Sequence, residues 1–306
     1  MTKKTSPGCF SASIDLSLKD KLECDLIEKG FVLAPLPYAF FSAKKEGLCC
    51  TLYLSGKITV QGNGKDSFLE FYLEPEILQN LSYTHPASLH DPAARIGLDE
   101  AGKGDFFGPL CIAGFYAPEG SIEKLLQLGV KDSKKLSDFE VLKLSHQLKN
   151  SFPHKVLSLF PKTYNRLYQK FQNLNHLLGW GHATVLEELS ATTGCKKALL
   201  DQFAFPGLME SILKKKNLMV DLVQKTKGEE DPVVAAASIL ARAAFLEGLK
   251  QLENAFHIPL PKGASSLVTQ AAQKAVLKQG PAILEDIAKM HFKTTQAVLN
   301  AQNPSH

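Results

Sequence analysis

The stretch Ile96-Gly97-Leu98-Asp99-Glu100-Ala101-Gly102-Lys103-Gly104-Asp105-Phe106-Phe107-Gly108-Pro109-Leu110 decides how this chain is read. It begins as a short apolar strand, sets two adjacent carboxylates at the end of that run and passes at once into a glycine-containing loop. Side chains of neighbours in a strand point to opposite faces, so Asp99 and Glu100 can serve one site only if the strand is ending there. Gly102 and Gly104 make that exit plausible and let backbone N–H groups approach a polyanion with no Cβ in the way. An isolated Asp-Glu-Gly is also an ordinary surface turn, so the reading depends on what lies elsewhere.

Downstream, KKALLDQFAFP places Asp201 after another apolar run, again at the C-terminal end of a strand. In open sheets with helical crossovers, ligands gather outside the carboxyl ends of the strands, so Asp201 and the Asp99-Glu100 pair are expected to form one acidic cluster. A helix cap is the competing role for Asp201. A fourth carboxylate could come from Glu229, Glu230 or Asp231 in TKGEEDPVVAAAS. Asp231 precedes Pro232 and suits a helix N-cap with Pro at N1, so it already has a structural role. Carboxylates with no Ser, Cys or His triad suit Mg2+ or Mn2+, hard ions with oxygen ligands, and point to metal-assisted phosphoryl transfer. Basic elements for the rest of a polyanion are Lys131, Ser133, Lys134 and Lys135 in VKDSKKLSD, with Lys262, His291 and Lys293 further on.

Working outward, 95–306 reads as one catalytic domain: strands at ARIGLDEAG, PLCIAGFYA and KVLSLF, a helical region at 161–193, the strand KKALLD, a helix near 206–216 and the strand NLMVDLV. The Ala-rich segment PVVAAASILARAAFLEGLKQLENAF and two further helices close it. Ser137 with Glu140 is a capping box that starts a helix. Strands first in hairpin order and later alternating with helices predict an α/β fold with a mixed sheet flanked by helices. Residues 1–85 read as a small α+β module: a helix near 15–30, strands at 48–54 and 57–61 joined by Ser55-Gly56, and a helix over DSFLEFYLEPEILQNL. The Pro- and His-containing stretch 86–94 is the linker.

The 306 residues carry a formal charge of +4, divided unevenly: residues 1–90 hold nine Lys and no Arg against ten acidic residues, leaving 26 basic against 21 acidic for the remainder. Preference for phosphate therefore falls on the C-terminal part. If the N-terminal module grips nucleic acid, its few Lys, such as Lys57 and Lys65, are expected to lie together on the sheet's exposed side. Six cysteines show no CxxC spacing and read as reduced thiols. No window approaches the ~20 uninterrupted apolar residues of a bilayer span, and the first residues lack a secretory apolar core, so a cytoplasmic protein with no membrane partner is expected.

Taken in order, Asp99-Glu100-Ala101-Gly102-Lys103-Gly104-Asp105, Lys131-Asp132-Ser133-Lys134-Lys135-Leu136, Asp201-Gln202-Phe203, Lys227-Gly228-Glu229 with Ala235-Ala236-Ala237-Ser238-Ile239, and His291-Phe292-Lys293-Thr294 resemble the ribonuclease HIII family. SGKITVQGNG resembles that family's N-terminal substrate-binding module. The resemblance implies a ribonuclease H-like mixed five-stranded sheet preceded by a TATA-binding-protein-like domain. It implies an endonuclease that cuts the RNA strand of RNA/DNA hybrid duplexes and leaves 5′-phosphate and 3′-hydroxyl ends; a monomer is expected. Asp99, Glu100 and Asp201 would hold Mg2+ or Mn2+. Gly102, Lys103 and Gly104 look like the counterpart of the Gly-Arg-Gly loop whose backbone meets a ribose 2′-hydroxyl in the type 2 enzymes. Lys131, Ser133 and Lys134 would bind substrate. The match favours Glu229 as the fourth acid. Two rival readings remain: type 2-like incision at a single ribonucleotide in DNA, against which Lys103 and the N-terminal module argue, and a non-catalytic hybrid binder, against which the retained acids argue.

Overall fold

A computed structural model describes residues 8–80, 83–84, 90–204 and 207–301. The chain divides into two compact units, Met1–Asp91 and Pro92–His306. Residues 86–89 of the expected linker lie outside the described residues.

The first unit is an antiparallel sheet of β1 (Phe10–Ser13), β2 (Val32–Ala34), β3 (Ala39–Lys45), β4 (Leu48–Tyr53) and β5 (Lys57–Gly62), ordered β1-β5-β4-β3-β2. Alternation sorts its two faces. Phe41, Ala43, Cys50, Leu52, Ile58 and Val60 pack on α1 (Lys19–Glu28) and on the helical stretch made by α2 (Lys65–Phe68) and a π-helical run, Leu69–Leu78, that holds Pro75. On the other face, pairing aligns Ser11, Thr59, Thr51 and Ser42 in one row across four strands. The expected lysine patch is not formed. Lys57 is exposed at the start of β5. Lys65 lies beyond the strand's other end, about 20 Å of extended chain away. There it is buried, donating to the Gly8 carbonyl at 3.2 Å with its ammonium 5.3 Å from the Tyr83 ring centre.

The second unit is a mixed sheet of β6 (Arg95–Ala101), β7 (Leu110–Ala117), β8 (His154–Leu159), β9 (Lys197–Asp201) and β10 (Asp221–Lys225), ordered β10-β9-β6-β7-β8. β6, β7 and β8 are antiparallel neighbours, whereas β9 and β10 run parallel to β6. The last strand starts later than NLMVDLV suggests, because pairing with β9 holds Asp221 through Lys225 in register despite the polar residues at both ends of that run. Between the strands run α3 (Ile122–Leu128), α4 (Asp138–Ser151), α5 (Pro161–Phe171), α6 (Leu174–Thr193) and α7 (Leu208–Lys215). After them come α8 (Pro232–Phe256), α9 (Ser266–Gln279), α10 (Ile283–Ile287) and α11 (Lys293–Asn300), three helices after the Ala-rich one where two were expected. The capping box at Ser137 and the Asp231 cap are both formed.

Two helices fix the central strand. α8 lies so close to β6 that a Cβ at Gly97 would sit 2.4 Å from the Val233 carbonyl oxygen, so only glycine fits. α6 covers the opposite face, where a Cβ at Gly181 would come within 2.1 Å of Ile112. α8 is long and apolar enough to cross a bilayer, but 78% of its most apolar window is buried inside the protein.

Lys289 holds the loop after β6 from below. It is fully buried and donates to the carbonyls of Asp105 (2.8 Å), Phe107 (3.3 Å) and Gly108 (2.8 Å). Burial pulls its amine down to about 7, with Asp105 opposing, while three acceptors, one per ammonium hydrogen, favour the charged form. Lys289→Met should therefore cost ~3 kcal/mol or more, since each buried carbonyl left bare costs about 1 kcal/mol or more. Urea unfolding measures this; a loss below ~1 kcal/mol would show the carbonyls find other donors.

Candidate active site

One cleft of about 390 Å3 in the second unit is lined by Asp99, Glu100, Gly102, Lys103, Gly104, Ser133, Lys134, Asp201 and Glu229, together with Asp132, Ser238, Arg242 and Lys262. Nine of the ten residues that the resemblance assigns to the acidic cluster or the substrate are thus brought together, and Lys262, one of the further basic residues, joins them while Lys135 does not. The exception among the ten is Lys131, which is exposed, lies outside the lining and acts electrostatically on Glu140. Glu230 pairs with Lys227 at the surface, and Asp231 caps α8 and pairs with Arg95 at 2.8 Å, so neither contributes to the cleft. His291 stacks on Tyr168 away from the lining, and Lys293 is likewise outside it.

Asp99 and Glu100 reach the cleft by different routes. β6 does not end between them: it stays paired with β7 through Ala101. On its other edge the pairing with β9 stops at Leu98–Leu200, one residue before Asp99 and Asp201, which the parallel register places side by side. Asp99 shares the α8 face with Gly97, where Ser238 of that helix favours its charged form, and its Oδ1 accepts from the Glu100 N–H at 2.8 Å. Glu100 falls on the α6 face and accepts from His182 Nε2 at 3.0 Å. The two acids thus converge over the open strand end, each facing the helix of its own layer, with Glu100 bonded to it.

The cluster is electrostatically strained. Burial, with Glu100 and Asp201 adding repulsion, pushes the Asp99 carboxyl up to about 7. Asp201 is raised by burial, offset by the Gly228 N–H at 2.7 Å, with Glu229 and Glu100 adding to the rise. Burial would also raise Glu100, but His182 and then Lys103 bring it below the usual carboxylate range. Glu229 is lowered by its own backbone N–H, against burial, and by Lys134 at 3.1 Å.

Residues without a role in the sequence reading complete the site. Arg242 donates to the carbonyls of Ser133 and Leu136 and to Asp138, which also accepts from Lys262 at 2.6 Å, so the segment with Ser133 and Lys134 is clamped to α8. Ser133 is buried and bonds Ser238 at 2.9 Å. His182 was hidden in an apolar helix that also carries His176, and no local signal distinguishes the two.

Among the described residues, no three His, Cys, Asp or Glu side chains close into a ready-made metal cage. The donor chemistry nevertheless suits a hard divalent ion. The carboxylate oxygens are crowded, Glu229 Oε2 is buried with no partner among the described residues, and such ions bind through one or two carboxylates, waters and substrate phosphates.

The ribonuclease HII family model matches residues 96–295, and a domain of unknown function, DUF3378, matches residues 20–84. Ribonuclease HIII of Protochlamydia amoebophila is 49% identical over 290 residues, 95% of this chain and 96% of that one. Ribonuclease HIII of Chlamydia felis is 45% identical, with 95% and 96% covered. The chain belongs to the ribonuclease HIII family. It is an enzyme of the ribonuclease H type, and its mixed α/β sheets fit that family's fold. Among solved structures, Bst-RNase HIII in complex with Mn2+ aligns with a TM-score of 0.68 at 28% identity, covering 97% of this chain and 100% of that one. Aquifex aeolicus RNase H3 aligns with a TM-score of 0.55 at 28% identity, covering 93% and 100%. Use of a divalent metal follows for the family.

The raised Asp99 carboxyl carries a stability signature. Its charge opposes folding fully above about pH 7 and not at all below about pH 4, so in metal-free protein Asp99→Asn should be stabilising at neutral pH, by about 1–2 kcal/mol. Thermal midpoints in chelator should separate as pH rises from 4 to 7; a variant that is less stable at pH 7 would contradict the repulsion.

Proposed function

We propose that the protein is an endonuclease that hydrolyses the RNA strand of RNA/DNA hybrid duplexes with Mg2+ or Mn2+, leaving 5′-phosphate and 3′-hydroxyl ends. It is proposed to act in the cytoplasm as a monomer. The observation that carries this reading is the meeting of Asp99, Glu100, Asp201 and Glu229 with the Gly102-Lys103-Gly104 loop in one cleft. Asp99, Glu100 and Asp201 are the proposed metal ligands, with Glu229 the fourth acid. Divalent ions held by these oxygens would supply a metal-acidified water and Lewis-acid stabilisation of the leaving oxygen.

The chain's own groups bind and orient the strand. At Gly102, φ is +86° and a Cβ would lie 2.3 Å from the Pro109 carbonyl oxygen, so the loop is compelled to a bare backbone there. A Cβ at Gly104 would meet nothing within 4 Å, which leaves room for a ribose against the main chain, where a 2′-hydroxyl marks RNA. Lys103, part-exposed, and Lys134, exposed, are ion-paired to Glu100 and Glu229 and line the cleft as point charges for phosphate. Ser133, already bonded to Ser238, is proposed to fix the backbone beneath the substrate.

Residues 1–85 are proposed to bind the duplex as a separate domain, with 86–94 as linker. The accessible end of the row, Ser11 and Thr59, supports this without a basic patch, since hydroxyls meet sugar and phosphate oxygens without charge, while Thr51 and Ser42 are buried and bonded to each other. That reconciles the module's slightly acidic composition with a nucleic-acid role.

The test is cleavage of a labelled hybrid with and without metal, by intact protein and Asp99→Asn, beside a DNA duplex carrying one ribonucleotide. Cutting of the hybrid only with metal, and a fall of at least ~1,000-fold in Asp99→Asn, is expected; binding without cutting would mean a hybrid binder, and preferred incision at the lone ribonucleotide a type 2-like enzyme. Thr59→Glu should raise KM about tenfold or more with kcat within about twofold, and an unchanged KM would remove the N-terminal face from the substrate path.

A further inference from the structure

His182 is fully buried in α6, yet it is not a packing residue in any economical sense. Burying an imidazole costs free energy unless its nitrogens are bonded, and an apolar side chain would fill the same space without that cost. Only one nitrogen is satisfied: Nε2 lies 3.0 Å from Glu100 Oε2, whereas Nδ1 is buried with no partner among the described residues. An Nε2–H imidazole donating to the carboxylate is the tautomer that fits, because a proton on Nδ1 would be a buried donor with nothing to accept it.

The ring is also aimed. α6 is pressed onto β7 at Gly181, the residue before His182. On its other side the imidazole stacks on Phe203, with ring centres 5.1 Å apart and planes 22° apart, and Phe203 follows Asp201 by two residues. The same Phe203 ring lies under Lys103 Nζ at 6.0 Å. Helix, sheet and the exit of β9 together leave the imidazole one place to donate.

The two oxygens of Glu100 therefore have different partners. Oε2 is taken by the buried, rigid His182, and Oε1 faces the part-exposed Lys103 at 3.7 Å, a long contact that a competitor can displace. We propose that His182 is a positioning residue, which grips Glu100 by Oε2 and keeps Oε1 presented to the divalent ion. The inference rests on the reading of Glu100 as a metal ligand. Partners of this kind, which orient a ligand through its far atom, typically contribute 10–100-fold in metal affinity.

The experiment is Mn2+ titration calorimetry on the full chain, with thermal midpoints measured in chelator and hybrid cleavage followed against metal concentration. His182→Phe keeps the ring and its stacking on Phe203 but removes the donor; His182→Gln keeps an N–H close to the Nε2 position. His182→Phe should weaken Mn2+ about tenfold or more and shift the metal requirement of cleavage upward by the same factor, with KM for the hybrid unchanged. His182→Gln should stay within about threefold of the unaltered protein. If His182→Phe fails to fold, His182→Asn, whose donor falls short of Glu100, replaces it against His182→Gln with the same expected gap. Equal Mn2+ affinity in donor-lacking and donor-keeping variants overturns this inference alone and leaves His182 a packing residue. Unaltered protein that takes up no Mn2+ overturns the acidic-cluster reading and this inference with it.

Discussion

The site depends on the alternation of side chains along a strand. Asp99 and Glu100 are neighbours on β6, so one must face α8 and the other α6, and no rearrangement within the strand can bring both to the same side. The fold meets this constraint at an edge. β9 releases β6 at Leu98, and past that point the two carboxylates overlook one opening, beside Asp201. Each acid then faces its own layer: Asp99 lies beside Ser238 of α8, which favours its charge, and Glu100 is bonded by His182 of α6. The close seats of the two helices, at Gly97 and Gly181, follow from the same constraint, since a helix one side chain further out would leave its acid unsupported.

That arrangement concentrates negative charge where water is scarce. Burial, with repulsion between the acids added to it, raises the carboxyls of Asp99 and Asp201, so their charged forms are unfavourable in the folded chain, with stability supplied elsewhere, by the packed core around α6 and the triply bonded Lys289 under the loop. Repulsion of this kind is relieved by a cation, so the same feature that weakens the metal-free protein favours binding of a divalent ion. Lys103 and Lys134 lie where they can offset part of it meanwhile.

Much of this was legible in the sequence because the decisive elements carry local signals. Asp231 before Pro232 and the Ser137–Glu140 box mark helix starts by backbone chemistry that needs no tertiary context, and both are formed. The carboxylates at the ends of apolar runs identified the strand ends that form the cleft. What was not legible depends on contacts distant in sequence. β3 has no clean alternation, since Phe41, Ser42 and Ala43 are buried in succession, and β2 is only three residues long. Lys65 reads as a surface base but is drawn inward by the Gly8 carbonyl and Tyr83. Lys131 belongs to the same short motif as Ser133 and Lys134, yet the turn beginning at Asp132 directs it away from the cleft. His182, Arg242 and Lys289 act on partners roughly 80 to 180 residues away in the chain, a separation that spacing cannot reveal.

The central claim is that Asp99, Glu100 and Asp201 form one cation site over the open end of β6. Its most direct test is a crystal of the full chain soaked in Mn2+, with the metal located by its anomalous scattering. The account predicts a peak within coordination distance of oxygens from these three residues, with Glu100 bound through Oε1 while Oε2 keeps its bond to His182. A peak confined to other residues, in protein that cuts hybrid under the same conditions, would contradict it.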